Sequence, residues 1–259
     1  MLVKFRVLCV AVAGTLALSV PAAAEELRQK ISASRVVDLT HTMYDAMPFW
    51  PGGVPFKKIR LVDYAQGYRL HRFEMGENTG THVDAPAHFI KGKLPIDRLA
   101  LRDIVVPAVV IDVKDKVAGN SDYQLTAADV KAWEAEHGRI PAGSLVILNT
   151  GWNKRFGNPK DYVNLDSDNV MHFPGYHPDS AAVLLERDVV GVGIDTLSLD
   201  YGPSKKFMFH VHMLKGDKYQ IENMANLDAL PTTGATVIVG VLPVKDGTQA
   251  QARVLGLLP

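Results

Sequence analysis

Four runs of β-branched and aliphatic residues set the main constraint on the fold. They are "VVPAVVIDV" from Val105, "SLVILNT" from Ser144, "VVGVGID" from Val189 and "ATVIVGVLPV" from Ala235. Each predicts a buried strand. Two shorter runs alternate, "RVVDLT" from Arg35 and "YRLHRFEM" from Tyr68, and predict half-exposed strands. Helical signals are fewer. "LTAADVKAWEAEHG" supplies Thr126 as N-cap, Asp129 three places on and Gly138 as the stop, and "PDSAAVLLERD" is a second helix with Asp179 as its cap. The pattern predicts a single strand-rich α/β domain, with no internal repeat and no long linker.

The first residues are expected to be removed. Lys4 and Arg6 precede an apolar run from Val7 to Val20, and "PAAA" ends at Ala24. This is the pattern of a secretory signal peptide over residues 1–24, leaving 25–259 as the mature domain. The one cysteine, Cys9, lies inside that leader, so disulfides and cysteine catalysis are excluded for the mature chain. A periplasmic or secreted location follows as the expectation. Without Lys4 and Arg6, 26 basic residues face 28 acidic ones, a net charge of −2. Such a surface offers no general attraction to nucleic acid or, after leader cleavage, to an anionic membrane.

Chemistry concentrates in "NTGTHVDAPAH", residues 78–88. Gly80, two threonines, Val83 and Pro86 oppose a helix here. In an extended chain His82 and Asp84 point to the same side, roughly 7 Å apart along the backbone, and can converge on one ion. Imidazole nitrogen with carboxylate oxygen suits zinc or manganese better than calcium. Taken alone the motif is equally a strand ending in a D-A-P turn, its histidines satisfied by ordinary hydrogen bonds. Downstream, "FHVHMLKGDKYQIENM" supplies His210, His212 and Glu222, a second histidine–carboxylate group. Aromatic residues and Pro/Gly cluster in "MPFWPGGVPF" and "FPGYHP", which are either ordinary loops or the lining of a small apolar pocket.

"NTGTHVDAPAHF" resembles the H-x-G-T-H-x-D-x-P-x-H signature of the cyclase-like metal-dependent hydrolases, a family that includes bacterial kynurenine formamidase and isatin hydrolase. "DLTHTMYDAMPFWPG", "VGIDTLSLD" and the twelve-residue spacing from His210 to Glu222 fall where that family has related segments. The resemblance implies a strand-rich swivelling β/α domain and a homodimer or higher homo-oligomer. It implies His82, Asp84, His210 and Glu222 as metal ligands and His88 as the proton-moving histidine. Asn78 departs from the signature, standing where the family's first histidine ligand stands. Asn78, His212 and His41 are therefore expected as weak ligands or as supports behind the ligands, with one Mn2+ or Zn2+ per subunit.

The expected activity is hydrolysis of a cyclic or aryl amide, isatin-like or N-formylkynurenine-like. A bound cation lowers the pKa of its water to about 7 and supplies the attacking hydroxide, and His88 carries the proton. Phe49, Trp50, Phe56 and Tyr176 are expected to hold a flat small-molecule substrate. No G-x-S-x-G elbow supports a serine nucleophile. The alternatives are a lactonase, or a non-catalytic periplasmic protein that binds a metal or small molecule; retention of His88, unnecessary for holding a metal, favours the enzyme.

Overall fold

A computed structural model of the protein describes residues 35–259; the expected signal peptide lies outside the described residues. In chain order the elements are β1 (Val36–Asp38), β2 (Lys57–Val62), β3 (Leu70–Glu74), β4 (His82–Asp84), β5 (Val105–Asp112), α1 (Lys114–Gly119), β6 (Gln124–Leu125), α2 (Ala127–His137), β7 (Leu145–Asn149), α3 (Pro159–Val163), β8 (Gly175–Tyr176), α4 (Pro178–Glu186), β9 (Gly191–Ile194), α5 (Met208–Lys215), β10 (Tyr219–Glu222), β11 (Thr236–Val241) and β12 (Gln249–Leu257). Strands β12, β11, β5, β7, β9, β10 and β4 hydrogen-bond in that order, and β4 returns to β12 to close a seven-stranded barrel. One edge of β12 runs along β11. The other edge takes β4 at Gln249–Gln251 and β1 at Leu255–Leu257. Strands β2 and β3 form a separate hairpin.

The apolar runs of β5, β7 and β9 are explained by this closure, because those strands bury residues on both faces, whereas β11 buries only Val237 and Val239 on its inner face. Val106, Ala108, Val110, Leu145, Ile147, Val237, Val239 and Val254 fill the barrel. The alternate residues Val109, Ile111, Val146, Leu148, Val192 and Ile194 pack outward against Val130 and Trp133 of α2, Ala181 and Leu184 of α4, and Phe209 and Met213 of α5. Closure is tight at β9. A Cβ on Gly193 would lie 2.5 Å from Met224 Sδ, and one on Gly191 would lie 2.7 Å from the Tyr219 ring, so glycine is required by close packing rather than by backbone conformation.

The helix that the sequence places after Thr126 forms with its capping box. Thr126 Oγ1 accepts from Asp129 N at 3.2 Å, and Asp129 Oδ2 accepts from Thr126 N at 2.8 Å. The cap of α4 differs from expectation. His177, not Asp179, is its N-cap, because Pro178 fixes the first helical position and leaves Asp179 in the first turn, its amide facing His177 Nδ1 at 3.3 Å. The strand-rich α/β expectation is met as a mixed α/β domain built on a barrel.

Candidate metal centre

Strand β4 lies between β10 and β12 in antiparallel register. His82 stands opposite Glu222 and Gln251, and Asp84 opposite Gln220 and Gln249. Period-two alternation sends Val83, Ile221 and Ala250 into the barrel core. His82, Asp84, Gln220, Glu222 and Gln249 therefore share the outer face, all buried. Helix α5 brings His210 to the same place.

Four of these side chains form a ring of alternating imidazoles and carboxylates. His82 Nε2 lies 3.3 Å from both Asp84 Oδ1 and Glu222 Oε2. His210 Nε2 lies 3.4 Å from Asp84 Oδ2 and 3.0 Å from Glu222 Oε1. Each imidazole is held from behind: His82 Nδ1 donates to the Gly80 carbonyl at 2.8 Å, and His210 Nδ1 to Asp200 Oδ2 at 2.7 Å. A carbonyl only accepts, so Nδ1 carries the proton of His82 and, when the ring is neutral, its Nε2 lone pair faces two carboxylates. Two lone pairs facing two buried anions repel unless a proton or a cation sits among them.

The donor set fits a cation. His82 Nε2, Asp84 Oδ2 and Gln220 Oε1 are buried without any hydrogen-bond partner. One ligand atom each from His82, Asp84 and Glu222 falls within 4.8 Å of the others. Two nitrogens with two carboxylates is a borderline donor set suited to zinc or manganese. Asp84 is fixed by Gln249 Nε2, which donates to Oδ1 at 2.7 Å, and Glu222 by the Leu199 amide at 3.1 Å. Burial alone would lower both histidines, but the facing Asp84 and Glu222 carboxylates hold His82 up at about 10. Against the same burial, Asp200, Asp84 and Glu222 hold His210 well above its usual range. Burial would raise Asp84, and the facing His210 and His82 imidazoles instead hold it well below the carboxylate range.

A cleft of about 190 Å3 opens onto this ring, and Trp50, Asn78, His88, Phe89, Phe207 and Ser198 are among its lining residues. A 3-10 turn at Pro86–His88, directly after β4, carries His88 to the wall, its ring centroid 6.4 Å from that of His210. Burial lowers the His88 pKa, with the charge on Asp84 opposing, which favours the neutral imidazole.

Of the four expected substrate residues, Trp50 lines the cleft. Phe49 is half-buried and does not line it. Phe56 and Tyr176 are core residues and correct the expectation. Phe56 packs on Phe73 at 5.5 Å, while Tyr176 stacks on Phe209 at 4.4 Å and donates to the Gly193 carbonyl at 3.0 Å. Aromatic rings in Pro/Gly-rich loops fill gaps under those loops as readily as they face ligands. His41 stacks on Phe156 at 3.6 Å, and burial lowers its pKa to about 4. Only its backbone reaches toward the centre, through Thr81 Oγ1 at 3.0 Å. His212 is exposed. Two residues along a helix turn about 200°, so it points away from His210; a strand would have kept them together. Asp200, Gln249, Gln220, Phe89 and Phe207 belong to the site without having been foreseen. Asp200 closes the "VGIDTLSLD" segment and was its one available signal.

Comparison with known proteins identifies the family. The Cyclase family model matches residues 37–201. Isatin hydrolase of Roseibium aggregatum is 37% identical over 193 residues, 71% of this chain and 73% of that protein. Kynurenine formamidase of Bacillus cereus is 24% identical over 197 residues, 75% of this chain and 84% of that protein. An isatin hydrolase crystallised with the product analogue thioisatinate superposes with a TM-score of 0.86 at 32% identity, covering 93% of this chain and 100% of the other. Isatin hydrolase A of Ralstonia solanacearum gives 0.84 at 34% identity, covering 97% and 100%. With a buried imidazole–carboxylate ring at its centre and these relatives on either side of it, the chain belongs to the cyclase family.

Proposed function

We propose that the protein is a metal-dependent hydrolase that opens a cyclic or aryl amide, isatin-like in preference to N-formylkynurenine-like. The observation that carries the reading is the buried His82–Asp84–His210–Glu222 ring beneath a cleft whose wall presents the His88 imidazole. The likeness to isatin hydrolases, higher in identity than that to kynurenine formamidase, supports the preference.

His82, Asp84, His210 and Glu222 would hold one divalent cation, with Asn78 at the cleft as a weak ligand or a hydrogen-bond donor. When bound, the cation supplies Lewis acidity that lowers the pKa of water and draws charge from a carbonyl oxygen. Gly80 and Asp200 keep both ligand nitrogens aimed inward, and Gln249 holds the Asp84 carboxylate in place. His88 takes the proton from the attacking water as the C–O bond forms. It returns that proton to the amide nitrogen as the C–N bond breaks. Trp50, Phe89 and Phe207 seat the flat part of the substrate and keep bulk water from it.

Assays of isatin, N-formylkynurenine and simple lactones with added manganese or zinc test the reading. Turnover of isatin at the highest kcat/KM is the expected result; turnover of none of them, with tight small-molecule binding, would make the protein a binder. A periplasmic homo-oligomer belongs to the same proposal. The exposed Leu61, Leu70 and Phe73 of the β2–β3 hairpin support association, which sedimentation of the purified protein would test.

A further inference from the structure

Helix α5 begins without a capping side chain of its own. Its N-cap residue, Phe207, has φ 49° and ψ 44°, the left-handed region that bulky side chains rarely enter. Serine, threonine, aspartate or asparagine in an extended conformation is the usual choice there. The amides of the first turn are served from a distance instead. Asp200 Oδ1 accepts from Phe209 N and Oδ2 from His210 N, each at 3.1 Å. Ser204 Oγ accepts from Phe207 N at 3.2 Å and donates to Asp200 Oδ1 at 3.3 Å. Moving the cap to Asp200 leaves the N-cap position free for an aromatic ring.

That ring stands where the cleft has its wall. Its centroid is 6.0 Å from Trp50, 5.9 Å from Phe89 and 5.9 Å from His210, perpendicular to the last. All four residues line the cleft. Centroid separations of about 4.5–7 Å are those at which aromatic rings attract one another in tilted and edge-on arrangements. A strained residue at a functional site invites the question of what the strain secures.

We propose that Phe207 is a specificity-determining residue: its left-handed backbone holds the ring beside Trp50 and Phe89 and against His210, forming a three-ring slot that selects an aromatic-fused amide over an aliphatic one. The inference rests on the hydrolase reading above. A benzo-fused lactam would fill the slot with its flat face, whereas the same lactam without the fused ring would leave three apolar walls wet.

The test compares isatin with pyrrolidine-2,3-dione, the same dicarbonyl lactam without the fused ring, on the metal-supplemented full chain. Phe207→Gly and Phe207→Ala should each lower the isatin-to-dione ratio of kcat/KM by about tenfold or more, the scale of losing one aromatic contact and its buried area. Phe207→Trp should restore the ratio to within about threefold of the wild type on that same scale. Phe207→Gly should melt above Phe207→Ala, because glycine alone enters the left-handed region freely. A ratio unchanged in both truncations, even with both activities lowered, would overturn the proposal. If the wild type hydrolyses neither lactam, the hydrolase reading fails by itself, and calorimetric titration with isatin decides. Binding weakened about tenfold by truncation would sustain the slot; equal binding, or no binding by the wild type, would overturn it.

Discussion

His88 and Asp84 lie four residues apart in sequence, yet the structure gives them different work. Asp84 is fully buried between two imidazoles, while His88 is half-exposed on the cleft wall. Replacing His88 with alanine should leave metal content nearly unchanged and lower turnover by about a hundredfold or more, since only proton transfer is lost. Replacing Asp84 with alanine should remove the metal as well, because the remaining partners cannot offset a missing buried anion. Elemental analysis beside the kinetics separates the two, and equal metal loss in both variants would make His88 a ligand. Asn78 sets a further expectation. An amide oxygen is a poorer zinc ligand than imidazole, so the chain should hold one ion. Asn78→His should raise the count toward two, and two ions in the unmodified protein would contradict the assignment.

At the scale of elements, legibility followed the neighbours each strand has. β5, β7 and β9 bury two faces and are plain as apolar runs, β11 is plain from its β-branched run although only its inner face is buried, and the His82–Asp84 pair is plain because a strand has period two. β10 and β12 were not foreseen. Their inner faces are apolar, but Gln220, Glu222, Gln249 and Gln251 occupy the outer face, and the mixed pattern weakens the apolar signal. Helix α5 was missed for a related reason: "FHVH" alternates as a strand would, and its cap comes from Asp200, seven residues before its N-cap. That remote cap yields its own prediction. Asp200→Ala frees His210 Nδ1 and the first-turn amides together, and should weaken metal affinity about ten- to hundredfold. Competition titration against a chelator measures the change, and an unchanged affinity would show that the helix alone aims His210.

For the whole molecule, the ring makes metal-free stability depend on pH. His82 and His210 have folded pKa values raised above their unfolded ones. Their contribution is therefore complete below about pH 6.5, the unfolded histidine value. It is lost as pH rises through the folded values, about 10 for His82. Asp84 is depressed, so its contribution is present above about pH 4 and is lost as pH falls through its folded value. Chelated protein should melt progressively lower from pH 6.5 upward, and added zinc or manganese should raise the melting temperature more at pH 9 than at pH 6. Melting curves of the chelated protein that stay flat over that range would contradict the proton-for-metal exchange. The export proposal is checked by intact mass: periplasmic protein should begin at Glu25 and contain no thiol, and a mass retaining residues 1–24 would refute it.

The central claim is that the four side chains at the β4–β10–α5 junction form one metal site on which hydrolysis depends. Elemental analysis of the purified protein, paired with isatin turnover on the same sample before and after chelation, tests it most directly. One equivalent of zinc or manganese per chain is predicted, with turnover lost on chelation, recovered on re-addition, and absent together with the metal in Asp84→Ala. Full turnover in chelated protein shown to be free of metal, or an undiminished equivalent in Asp84→Ala, would contradict the account.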